Sequence, residues 1–93
     1  MKKSHDNHQR LVEAIARGLG VRPGNLHGKS SQENVKEWDS LGIVRVVAEV
    51  EAEFRVQFTL LEIAEFLNIE LIQTILAEKG IKFAKPKTQK RRE

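Results

Sequence analysis

Cysteine is absent from this 93-residue chain, proline appears twice, and there is one tryptophan. Without cysteine there is no disulfide framework, no thiolate metal site and no cysteine nucleophile, so any thiol chemistry has to be imported. Also missing is an apolar run approaching the ~20 residues that span a bilayer. Residues 1–8, MKKSHDNH, lack the apolar stretch of a secretory signal. The expected location is therefore the cytoplasm, with no membrane partner. A chain this short holds one domain, because two cores would each bury too little apolar surface. Its 40% hydrophobic and 31% charged composition fits a folded, soluble domain better than a disordered one.

The net charge of +3 averages two different segments. Residues 82–93 hold six basic groups (Lys82, Lys85, Lys87, Lys90, Arg91, Arg92) against one acid. The preceding 81 residues hold ten basic and twelve acidic groups and are mildly acidic. The chain divides accordingly into a helical domain over 1–81 and a basic tail over 82–93. Past Phe83 the tail offers no apolar partner and is expected to be disordered.

Apolar periodicity places the helices. Leu11, Val12, Ile15, Ala16 and Leu19 share one face of a helix over 7–19, which Gly20 can cap and Pro23 prevents from continuing. A long loop, VRPGNLHGKSSQENVKEW, follows over 21–38. Its apolar anchors are Val21, Leu26, Val35 and Trp38. Asp39 is a good N-cap for a second helix that begins at Ser40, with Ile43, Val46, Val47, Val50 and Phe54 on its stripe. The β-branched run Ile43, Val44, Val46, Val47 favours a strand locally, but the three-to-four spacing and flanking glutamates decide for helix. Thr59 caps a short helix over 60–66, and Asn68 caps a last helix over 69–78 that stops at Lys79-Gly80. The expected core is Leu11, Ile15, Leu19, Val46, Val47, Val50, Phe54, Leu71, Ile72, Ile75 and Leu76.

The stretch Glu37-Trp38-Asp39-Ser40-Leu41-Gly42 is followed by a helix ending Glu51-Ala52-Glu53-Phe54 and then by Val56-Gln57-Phe58-Thr59. Over roughly residues 8–80 this resembles the acyl carrier proteins. A bare Asp-Ser-Leu tripeptide is common. What gives it weight is its place at the head of the second helix after a long loop. The resemblance implies an all-α four-helix bundle of the acyl-carrier type, with three longer helices and a short third one. It implies that a phosphopantetheinyl transferase esterifies Ser40 with 4′-phosphopantetheine from coenzyme A, and that the arm's thiol holds a thioester for loading and processing enzymes. Asp39 would assist that transfer and, with Leu41, flank the attachment point. The protein would then be a monomeric acyl or aminoacyl carrier rather than an enzyme. Trp38, Gly42, Arg45, Ala48, Glu49 and Ala52 are expected to face partners, on a docking surface less acidic than many acyl carriers show. Ile43, Val44, Phe58, Ile63 and Phe66 are expected to line a groove that shelters the cargo.

Four other readings compete. A hydrolase would need a nucleophile elbow, but Ser40 lies in Trp-Asp-Ser-Leu-Gly and not in Gly-x-Ser-x-Gly. His5 and His8 have a permissible zinc spacing, but only His27 is left to complete a site, which favours solvated histidines near a terminus. The basic tail suits nucleic acid, yet it has no interleaved aromatic beyond Phe83 and no accompanying binding module, so nucleic acid is not the expected partner. An unmodified helical adaptor, with Asp39-Ser40 serving only as a cap, is the remaining alternative.

Overall fold

A computed structural model describes residues 6–27 and 29–83. It is all-α: helices α1 (Asn7–Leu19), α2 (Ser40–Phe54), α3 (Leu60–Ile63) and α4 (Ile69–Glu78), with a 3-10 turn at Pro23–Asn25. Among the described residues the only strand-like pairing is an isolated antiparallel bridge between Ser31 and Asn68. No helix there is long and apolar enough to cross a membrane.

Each helix begins at a side-chain cap. Asp6 accepts from the Gln9 N–H at 3.1 Å, Asp39 from Gly42 at 2.8 Å, and Asn68 from Leu71 at 2.8 Å. Thr59 and Glu62 form a reciprocal capping box. Helix α1 ends on Gly20 at φ 74°, whose N–H donates to the Ala16 carbonyl. The left-handed conformation also brings the Val21 N–H to the Ala16 carbonyl at 3.0 Å, and glycine adopts it without steric cost.

Helices α1 and α2 are antiparallel, because Arg10 meets Glu53 while Arg17 meets Glu49. Gly18 makes the close crossing possible: a Cβ there would lie 2.7 Å from the Val46 Cα. Val46, Val50 and Phe54, spaced by four, are buried in this seam. Val47, expected in the core, is only half-buried at its edge, since it sits one residue, about 100° around the helix, from Val46. Leu71 is likewise half-buried, and Ile69, Ile72, Ile75 and Leu76 form the inward face of α4.

Helix α3 is shorter than the 60–66 span the sequence suggests. Turns replace the helix over 64–67 and carry Phe66 wholly into the core, edge-on to Phe58 at 4.9 Å. The long loop is pinned by buried Leu26 and Trp38. Beyond α4, Ile81 and Phe83 pack on the core, Phe83 lies 6.5 Å from Phe54, and Asn7 donates to the Lys82 carbonyl at 2.8 Å. Ile81 and Phe83 thus belong to the packed body. The rest of the expected disordered tail, 84–93, falls outside the described residues.

Candidate functional site

Ser40 is the first residue of α2 and is exposed. The residues before it hold that helix start in place. The Trp38 N–H donates to the Val35 carbonyl at 2.9 Å, closing a turn, and its indole Nε1 donates to the Phe66 carbonyl at 3.1 Å. Asp39 then uses one carboxylate oxygen to cap the Gly42 N–H and remains otherwise exposed. A buried tryptophan two residues upstream and a cap one residue upstream therefore fix where the Ser40 hydroxyl emerges. Among the described residues that hydroxyl makes no side-chain hydrogen bond. Neither described histidine lies on it: His8 Nδ1 is 3.2 Å from Gln73 Oε1, and His27 Nδ1 accepts from the Lys29 N–H. His5 lies outside the described residues.

Of the residues expected to face partners, Arg45, Ala48 and Ala52 are exposed along α2, and Leu41 beside Ser40 is 58% exposed. Two others are buried. Trp38 is 1% exposed, because its ring fills the space under the loop and its N–H satisfies a carbonyl 28 residues away. Gly42 is buried, because the Glu37 carbonyl oxygen lies against its Cα where any Cβ would collide, with Leu19 Cδ2 3.0 Å from that same position. Glu49 is half-buried and committed to Arg17 at 2.9 Å, so it belongs to the α1–α2 seam as much as to any docking face. Of the residues expected to line a cargo groove, Phe66 is wholly buried, Val44 is 64% exposed, and Ile43, Phe58 and Ile63 are half-buried.

An ion-pair ladder ties α1 to α2. Arg10 reaches Glu53 at 2.8 Å, donates to its backbone carbonyl and lies 4.7 Å over the Phe54 ring, and Arg17 bridges Glu49 and Glu53. The Arg10 hydrogen bond holds the Glu53 carboxyl below its usual range, against a smaller opposing effect of burial. The Glu49 hydrogen bond does most to raise the Arg17 guanidinium. At α3, the Thr59 backbone N–H and then Lys79, 2.9 Å away, hold Glu62 low as well. Every acid in these clusters has a cationic or backbone partner. No cluster of three or more His, Asp or Glu suited to a metal occurs among the described residues.

The most exposed large apolar side chains were not singled out by sequence. Leu60 and Leu61 on α3 stand 84% and 83% exposed. They open a one-turn helix that buries no residue, and adjacent apolar residues, buried elsewhere at Leu11-Val12 and Ile75-Leu76, gave no signal of it.

Comparison of the sequence with protein-family models and with curated proteins finds no match.

Proposed function

We propose that this protein is an acyl or aminoacyl carrier whose Ser40 is esterified by 4′-phosphopantetheine, which supplies the thiol this cysteine-free chain lacks. The observation that carries the reading is the exposed Ser40 hydroxyl at the head of a 15-residue helix, held there by the Asp39 cap and the buried Trp38. The residues present fit the group. An arm on Ser40 projects into solvent, and its phosphodiester would sit in the first turn of α2, where unpaired N–H groups and the helix dipole favour an anion. The arm provides a thioester. The chain's own residues position the attachment point and present Leu41, Val44, Arg45, Leu60 and Leu61 to loading and processing enzymes. Such a carrier catalyses nothing and acts by raising the local concentration of a tethered intermediate.

The test is intact mass measurement after incubation with coenzyme A, magnesium and a promiscuous phosphopantetheinyl transferase. Gain of one phosphopantetheine by the wild type and none by Ser40→Ala is the expected result. No gain with several transferases would move the reading to an unmodified helical adaptor or a tail-driven binding protein.

A further inference from the structure

We infer that the cargo end of the arm docks in the cavity within the long loop, between its start after α1 and the turn that leads into α2, and that this cavity takes a short acyl group bearing a polar substituent. The inference rests on the carrier reading of Ser40 and adds a binding site and a ligand class to it.

Of the residues expected to shelter a cargo between α2 and α3, Phe66 is wholly buried with its ring edge-on to Phe58, and Val44 is exposed. The long loop that leads into Ser40 holds a cavity of about 380 Å³, lined by Val21, Asn25, Leu26, Asn34, Val35, Lys36 and Glu37. It lies within reach of the arm. One wall is the turn closed by the Trp38–Val35 hydrogen bond, and the Glu37 carbonyl of that turn touches the first turn of α2 at Gly42. Glu37 lies three residues before Ser40, at most about 11 Å of chain. An extended phosphopantetheine is longer than that.

The lining sets the class. Buried Leu26 and half-buried Val21 and Val35 form an apolar floor large enough for a few carbons. The rim is polar. Asn34 is engaged with the Ser31 N–H and the Lys29 carbonyl, whereas the Asn25, Lys36 and Glu37 side chains have no hydrogen-bond partner among the described residues. A long alkyl chain would outrun this floor and lie against the exposed Asn25 and Lys36 side chains, whereas a short hydroxyacyl or aminoacyl group can rest on the floor and hydrogen-bond to them.

The experiment uses the ¹⁵N-labelled full chain, loaded by the transferase with the acyl-pantetheine of hydroxybutyryl, alanyl or octanoyl coenzyme A and compared with the unacylated arm-bearing protein. Mass measurement first reports whether Ser40 carries the arm, so failure of the carrier reading is seen before any spectrum is recorded. With loading established, hydroxybutyryl and alanyl thioesters are expected to shift the amide resonances of Leu26, Val35, Lys36 and Glu37, and octanoyl to leave them unmoved. Val35→Trp, which fills the cavity, should abolish those shifts and shorten the thioester lifetime several-fold. Shifts confined to Ile43, Phe58 and Ile63, or to the immediate neighbours of Ser40, would overturn the site in the wild type alone, whatever the variant does. Equal shifts from octanoyl would overturn the ligand class.

Discussion

Gly42 sets the position of Ser40 by allowing the preceding turn to lie against the first turn of α2. A methyl group there would meet the Glu37 carbonyl oxygen, a backbone atom that can yield only if the turn moves. Alanine's better helix propensity is worth about 1 kcal/mol, whereas overpacking of this kind costs about 1–3 kcal/mol. Gly42→Ala is therefore expected to lower stability by about 1–2 kcal/mol in urea unfolding. Gly24→Ala, where nothing lies within 4 Å and φ is not left-handed, should be neutral or slightly stabilising. Equal midpoints for the two variants would show that the Glu37 contact does not constrain the helix start. The caps at Asp39, Thr59 and Asn68 were legible in the sequence because each acts within three residues of itself. The roles of Gly42 and Trp38 were not. Trp38 answers to a carbonyl 28 residues away, and a lone aromatic in a polar loop reads equally well as an anchor or as a docking residue.

Between elements, the α1–α2 seam combines a close backbone approach at Gly18 with the Arg10, Arg17, Glu49 and Glu53 ladder at its rim. Glu53 is held below its ordinary 4.5 in the folded state, so the unfolded chain binds more protons as the solution is acidified. Its contribution is complete above that value and is lost as pH falls through the lower folded pKa. Partly exposed pairs are worth up to about 1 kcal/mol, so Glu53→Gln should lower Tm at neutral pH by several degrees at most. The gap from wild type should close well below pH 4.5, and a pH-independent gap would assign the loss to packing instead. Helix α3 behaves differently, since it buries none of its residues. Leu60→Ser with Leu61→Ser is expected to leave the unfolding midpoint within about 0.5 kcal/mol. If these leucines dock partners, the rate of Ser40 modification should fall about tenfold through lost apolar burial. Unchanged rates would remove α3 from the recognition face. The length of α3 was not legible, because its end is set by the burial of Phe66 rather than by any local stop signal.

Across the whole molecule, Ser40 and Phe83 belong to opposite ends of α2. Phe83, the last described residue, rests on Phe54 at the C-terminus of that helix, and Ser40 is its first residue. Fifteen residues at 1.5 Å each put about 22 Å between them, more than twice the Debye length near physiological salt. Charge carried at the tail's point of departure is thus screened from the attachment site. Truncation after Phe83 is expected to leave both Tm and the rate of Ser40 loading unchanged. Removing Phe83 itself should cost about 1–3 kcal/mol, because it uncovers Phe54 and strips part of the packed strap. Thermal unfolding and time-resolved mass measurement on the two truncations check this directly. A truncation after Phe83 that kept its Tm but loaded more slowly would show that the tail reaches back to the transferase, and would make the basic segment part of carrier recognition rather than a separate binding element.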